Sequence, residues 1–566
     1  MKLTTALLGA ACALSFAPAA FADRGTDGEV KITFPQAVSI MNPFLSSGTK
    51  DVYAASLVLE PLAGFDADGN IIPKLVTEIP TLENGGISAD LTSITWKLLP
   101  DLKWSDGSPV TADDAVFTAA YCMDPAGGCA QLSKFDSVAK VEAVDASTVK
   151  VTFTGPKPNP YTAFVGALSP LLQKAQFAAC QGAAAPTCTD PNNMPIGTGP
   201  FKVTGFTVND TVTLAMNENY RDPAKPAFAS AVIKGGGDAE GSARAVMETG
   251  EFDYAWNTQI PPDSQASMTA AGKGEFVVAF GTLVERIEMN MTDPDPALPE
   301  GERATVKHPH PILSDIKVRT ALSKAIDRQI LSDVGYGAGG MPTCNVIPAP
   351  AAWASDNTGC IAQDMEGAKK LLDEAGWVPG ADGIREKDGK KLHILYQSTV
   401  NPIRQDFQAL VKDWWTELGV DVELKAIDPS VFFGGDAGSP DTFQKFYADV
   451  EMYANNSDGT DPETYLSQYQ CVNAPSPDNQ WQGENMNRFC DPAYDAKVKV
   501  LSTTVDVAER QKLAKELNDM VTKDSMVVVP LVHRGTLSAH SNTLGGVKIN
   551  AWDSEMWNVA DWFRVK

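Results

Sequence analysis

The sequence predicts an α/β fold divided into several packed units, on three observations. Strand-like and helix-like patterns alternate along the whole chain. Its 566 residues exceed what a single hydrophobic core serves, so two or three domains are expected. Composition, at 43% hydrophobic and 21% charged residues, leaves enough apolar surface to fill those cores and excludes wholesale disorder. The net charge of −25 argues against nucleic acid as a partner, because a phosphate backbone repels an acidic surface.

The first residues read as an export signal. Lys2 supplies the charge, residues 7–19 are apolar, and Ala20-Phe21-Ala22 forms a small-x-small site, so export with cleavage after Ala22 is expected. Lipoprotein processing at Cys12 is the rival reading, but Gly9-Ala10-Ala11-Cys12 lacks the usual Leu three residues before the cysteine. No later stretch approaches the roughly 20 apolar residues of a membrane span.

Asp66-Ala67-Asp68-Gly69-Asn70, between Leu62-Ala63 and Ile71-Ile72, predicts a hairpin turn; no Glu stands where a calcium loop would need one. Ile94, Trp96 and Leu98 alternate with polar Thr95 and Lys97 as a strand, and Val149, Val151 and Phe153 make another. Between them, Trp104-Ser105-Asp106-Gly107-Ser108-Pro109 is a turn. Thr111 then caps a helix, with the Asp114 carboxylate reaching back in capping-box style.

After Gly197-Thr198-Gly199-Pro200-Phe201, residues 203–214 read as a strand region, and a helix over 243–249 stops at Gly250. Val318, Leu322, Ala325, Ile326 and Ile330 share one face of a helix opened by Asp315, and residues 365–375 form another before Gly376. Asp388-Gly389 marks a hairpin ahead of the alternating Leu392, Ile394 and Tyr396. Phe407, Leu410, Val411, Trp414 and Leu418 line a helix that precedes the strand Val420, Val422, Leu424. Residues 507–521 form a charged amphipathic helix, and residues 526–529 a buried strand.

Once Cys12 leaves with the signal, eight of the nine cysteines remain, in four sequence-local couples. They are Cys122 with Cys129, Cys180 with Cys188, Cys344 with Cys360, and Cys471 with Cys490. Eight cysteines allow on the order of a hundred connectivities, but couples this close together, and this far from one another, favour nearest-neighbour bridges in an oxidising compartment. Zinc is disfavoured because no CxxC occurs and no His lies near any couple.

Enzyme signatures are missing. There is no GxSxG elbow, HExxH or GxxxxGK[ST]; Gly235-Gly236-Gly237-Asp238 lacks a phosphate-holding Lys, and His308 and His310 sit in a proline-rich loop. No catalytic residue, metal or cofactor is therefore assigned.

Several blocks, in order over nearly the whole mature chain, carry a family resemblance. They are Met41-Asn42-Pro43-Phe44, Leu59-Glu60-Pro61-Leu62, the Trp104 block, Gly197 to Phe201, Asn217-Glu218-Asn219-Tyr220, Val318-Arg319-Thr320-Ala321-Leu322 with Ala325-Ile326-Asp327-Arg328, the helix before Gly376, and Asp461-Pro462. Together they resemble the bacterial extracellular solute-binding proteins of the peptide and nickel type. The resemblance implies a two-lobed, Venus-flytrap fold with a small domain inserted in the first lobe. Expected divisions are a signal over 1–22, first-lobe pieces over 23–60, 197–289 and 533–566, the insert over 61–196, and the second lobe over 290–532. Crossing strands are expected near residues 287–290 and 532–534.

The implied function is capture of di- to oligopeptides by hinge closure and delivery to the membrane permease of an ABC importer, by a monomer. Alternatives are a receptor of the same fold for an oligosaccharide, opine or nickel complex, or an exported hydrolase. By the same resemblance Asp458 would hold a ligand ammonium; a plain loop of turn formers is the other reading of Asn455-Asn456-Ser457-Asp458-Gly459. Backbone at Asn456 and Ser457, and at Ser47, Gly48 and Thr49, would pair with an extended peptide. Trp256, Phe432, Phe433 and Tyr453 line the cleft or belong to the core. No partner for a ligand carboxylate is identified: the corresponding position is Met452, and Arg404 reads as a surface helix charge. The Cys471–Cys490 couple falls where dipeptide receptors of the family carry a bridge.

Overall fold

The computed structural model describes residues 24–299, 301–456 and 459–565. The export signal, Cys12, Ser457 and Asp458 lie outside the described residues.

Two large sheets organise the chain. The first, seven-stranded, runs Gly274–Ala279, Thr536–Ser541, Tyr254–Ala255, Glu29–Phe34, Ser230–Gly235, Thr211–Met216, Phe201–Thr207. Its strands come from the beginning, middle and end of the chain. Glu29–Phe34 is central, parallel to both neighbours, and its Val30, Ile32 and Phe34 are wholly buried. The second, six-stranded, runs Gly340–Pro342, Val528–Arg534, Val284–Met289, Val450–Asn455, His393–Thr399, Asp421–Ile427. Every residue of Val284–Met289 and of Val528–Arg534 is buried, as strands covered on both faces require.

The chain passes from the first sheet to the second between Ala279 and Val284, and returns through Gly535. Val284–Met289 thus belongs to the second sheet, and the crossing falls earlier than the expected division at 289/290. At the crossing Arg534 N–H donates to the Leu283 carbonyl at 3.1 Å, and His533 Nε2 lies 2.9 Å from the Gly281 carbonyl.

A third sheet, Ser93–Lys97, Thr148–Phe153 and Val138–Asp145, belongs to the inserted unit. Trp96, Trp104, Phe117, Tyr121 and Phe164 pack its separate core. Thr111 N–H donates to the Asp114 carboxylate at 2.9 Å, and that carboxylate also takes the Lys174 N–H at 2.9 Å and the Trp104 indole at 3.4 Å. The cap therefore ties turn, helix and core together. Gly197 and Gly199 join this unit to the first lobe; a Cβ would meet the Val58 carbonyl at 1.9 Å and the Leu57 carbonyl at 2.6 Å, which only glycine avoids.

The four cysteine couples are bridged as paired in the sequence: 122–129, 180–188, 344–360 and 471–490. Some elements differ from their sequence reading. The 203–214 region is a hairpin, because Asn209 adopts a left-handed turn conformation (φ 56°) that asparagine tolerates. The helix opened by Asp315 ends at Lys324, and a new one, Arg328–Gly335, starts from the Asp327 cap. The 243–249 helix is an α segment, Ala239–Arg244, followed by one wider turn ahead of Gly250.

Candidate functional site

Between the two large sheets lies a cleft of about 1430 Å³, its opening to solvent included. The first lobe contributes Ser47, Thr49, Tyr53, Trp256, Gln259, Thr536 and Glu555; the insert adds Gln131, Ser133 and Lys134. The second lobe contributes Arg404, Phe433, Phe443, Tyr453, Asn455, Asn456, Thr464, Tyr465, Glu484 and Arg534.

Ser47 and Thr49 reach the cleft after a short turn, with Ser46 and Gly48 in extended conformation before the helix Thr49–Ala55. Beneath them a wholly buried carboxylate organises the segment. Asp51 accepts from Ser39 N–H at 2.7 Å, Ser39 Oγ at 2.8 Å, Ser46 Oγ at 2.7 Å and Lys50 Nζ at 2.8 Å. Lys50 is equally buried, so the pair neutralises itself out of reach of solvent. Gly48 does not line the cleft. It faces the second lobe, where a Cβ would come within 2.8 Å of the Phe433 carbonyl.

The aromatic wall is a packed cluster. Phe443 and Tyr453 rings lie 5.3 Å apart, Phe433 and Tyr453 6.3 Å, and Phe432 and Phe443 5.8 Å. Phe432 was expected in the cleft and is instead fully buried, because it ends the turn Pro429–Phe432 pointing inward while Phe433 takes the surface position. From behind, the buried Arg286 guanidinium sits 5.3 Å from the Tyr453 ring and 5.8 Å from the Tyr465 ring, held by Glu288 at 2.6 Å.

Arg404 is not a surface charge. It is 3% exposed on the helix Pro402–Glu417 and turned inward, because Glu285 at the start of a buried strand supplies its partner. Arg404 Nε donates to Glu285 Oε1 at 2.7 Å and Arg534 Nε to Oε2 at 3.3 Å, with the Tyr336 hydroxyl on the same carboxylate at 3.1 Å. Burial would push the Glu285 carboxyl up, but the two guanidiniums outweigh it and hold it below the usual range. Two guanidiniums share this one carboxylate, so the trio by itself carries one unbalanced positive charge. Sequence reasoning missed it because the three residues lie more than a hundred positions apart and only the sheet crossing brings Arg534 beside Glu285.

At the first-lobe side, Glu555 is 1% exposed and accepts from the Ser538 and Tyr254 hydroxyls at 2.6 and 2.7 Å. Burial pushes its carboxyl up to about 7, against those hydrogen bonds, the nearby Trp256 indole and the Arg534 charge. Glu484 is likewise raised by burial, opposed by Ser133 and Lys134. Among the described residues no group of three or more His, Cys, Asp or Glu is arranged to hold a metal ion.

Of the residues named from sequence, Ser47, Thr49, Trp256, Tyr453 and Asn456 come together around this cleft. The model of the bacterial extracellular solute-binding proteins, family 5, matches residues 70–475, most of the chain. The chain belongs to this family. Among its relatives, the glutathione-binding protein GsiB of Salmonella typhimurium is 24% identical, the match covering 96% of this chain and 95% of the relative. Protein XP55 of Streptomyces lividans is 27% identical over 74% of this chain and 72% of its own length. The fold agrees with solved members at a TM-score of 0.79. One is NikZ of Campylobacter jejuni with Ni(L-His), 22% identical, the match covering 95% of this chain and all of that one. The other is the oligopeptide-binding protein AppA of Bacillus subtilis with a nonapeptide, 19% identical, covering 96% and 100%. The two-lobed family 5 fold with its inserted domain thus accounts for the architecture.

Proposed function

We propose that this family 5 protein is the capture subunit of a peptide importer, exported with cleavage after Ala22 and working as a monomer that presents its cargo to a membrane permease. The carrying observation is the composition of the cleft. Ser47 and Thr49 of the first lobe and Tyr453 to Asn456 of the second line the same cleft, where exposed main chain suits pairing with an extended ligand. The net-cationic Arg404–Arg534–Glu285 cluster offers charge-assisted hydrogen bonds to a carboxylate. Aromatic faces between them suit side chains of mixed character. The glutathione- and oligopeptide-binding relatives support the same class of ligand.

In this reading Asp458 receives the ligand ammonium and Ser457, with Asn456, pairs with its backbone. The first lobe comprises 23–60, 197 to the crossing near 280, and 535–566, with 61–196 as the insert and the remainder as the second lobe.

Calorimetry with di-, tri- and pentapeptides, each as free acid and as C-terminal amide, against nickel–histidine and an oligosaccharide tests it. Preference for the free acids is expected, with intact ligand recovered. Binding confined to nickel or glycan, or hydrolysis of the peptide, refutes the proposal.

A further inference from the structure

One rim of the cleft is closed by a buried ion cluster that lies behind the residues lining it. Lys157, in the insert, is 4% exposed, and its Nζ pairs with Glu463 Oε1 across the boundary to the second lobe. Glu463, 2% exposed, is the first residue of the short helix Glu463–Ser467, whose Thr464 and Tyr465 line the cleft. Its other oxygen accepts from Arg510 Nη2 at 2.9 Å, and Arg510 also holds Asp461 Oδ2 at 2.7 Å. Asp461 Oδ1 in turn takes the Glu463 N–H at 3.0 Å. Asp461, Glu463 and Arg510 all belong to the second lobe and stay together however the lobes move. They carry two negative charges against one positive. Lys157 arrives from the other side, with the insert's own Asp136 beside it, and supplies the second positive charge only when the lobes meet.

We infer that Lys157 and Glu463 form a clasp that fixes the register of lobe closure and sets the fraction of closed protein for any ligand. The inference rests on the reading of the cleft as a closing one. Because both charges leave water on closing, desolvation offsets much of their attraction. The pair therefore selects one closed geometry and penalises misaligned ones, in which either charge is buried alone. It also gives a role to Asp461 of the Asp461-Pro462 motif, whose carboxylate holds the Glu463 N–H and Arg510 in place.

The test uses Lys157→Glu, which leaves the second-lobe cluster untouched and brings a third carboxylate to it only on closure, with Lys157→Met as the uncharged control. Spin labels at cysteines replacing the exposed Val144 of the insert and Val500 of the second lobe report the lobe separation by pulsed resonance. The probes are glutathione and trialanine. In the parent protein each probe that binds should shift the distribution toward a shorter distance. In Lys157→Glu the short population should fall at least tenfold and affinity for every bound probe should drop by one common factor, with Lys157→Met intermediate and thermal unfolding of the ligand-free protein unchanged. Closure of Lys157→Glu equal to that of the parent overturns the clasp, as does a loss for one probe and not another, which would mark Lys157 as a ligand contact. A parent protein that keeps one distance with either probe overturns the closing-cleft reading, and the clasp with it.

Discussion

Replacing Arg404 by Met is the most informative single change. Met keeps much of the aliphatic stem and removes the charge, leaving the fully buried Glu285 with Arg534 at 3.3 Å and the Tyr336 hydroxyl at 3.1 Å. Breaking a buried ion pair from one side costs about 3–5 kcal/mol, and the two remaining partners place this change near the lower end, at about 3 kcal/mol. The cluster also falls from one net positive charge to none. A ligand carboxylate received there loses a charge-assisted hydrogen bond of about 1.5–3 kcal/mol, a weakening of roughly 10- to 150-fold. The two effects separate by assay: urea unfolding of the ligand-free protein reads the first, and calorimetry of a peptide acid beside its amide reads the second. The parent should prefer the acid; Arg404→Met should bind both alike. Acid sensitivity should rise as well. A carboxyl held below its ordinary value of 4.5 contributes stability that is complete above that value and is lost as pH falls through the lowered one. Without Arg404 that loss begins at higher pH. Retained preference for the acid in Arg404→Met, or no preference in the parent, refutes the assignment of this cluster as the carboxylate-receiving end.

Other outcomes follow from the same contacts. Glu555, with its carboxyl raised to about 7 from 4.5, destabilises the fold progressively as pH rises between those values, by about 3 kcal/mol at most, and is neutral toward stability below them. Glu555→Gln should therefore raise the melting temperature at pH 8 and flatten its pH dependence between 5 and 7; a slope equal to the parent's would show that another group sets it. Gly48→Ala places a Cβ 2.8 Å from the Phe433 carbonyl across the boundary between the lobes, so lobe closure rather than folding should suffer, with affinity down about tenfold and unfolding unchanged. Calorimetry with a bound peptide reads this, and undiminished affinity would place the lobes farther apart in the liganded state. Removing the 471–490 bridge by paired Ser substitutions frees a loop of 19 residues and should cost about 3 kcal/mol of stability, read as a shifted urea midpoint.

Several features were legible in the sequence because they are local. The Thr111–Asp114 cap, the hairpin at Asp388-Gly389 and the four cysteine couples depend on residues a few positions apart, and short-range backbone chemistry decides them. The split at Asp327 was less legible, since an apolar face continues through it and only the Asp327 side chain, capping Ile330 N–H at 3.1 Å, restarts the helix. Phe432 and Phe433 are adjacent and alike in chemistry; which one enters the core follows from the turn that precedes them.

By itself, then, the sequence determined the α/β class, the export signal as an expectation, the bridges and the family scaffold, and it named Ser47, Thr49, Trp256, Tyr453 and Asn456 as cleft candidates. Tertiary structure alone decided the electrostatics of the cleft. Glu285, Arg404 and Arg534, and likewise Lys157 with Glu463, meet because the chain crosses twice between the sheets and carries an inserted domain over the rim. A charge far along the chain reads as solvated in one dimension. Burial beside an opposite charge, which gives it a function, exists only after the sheets have assembled.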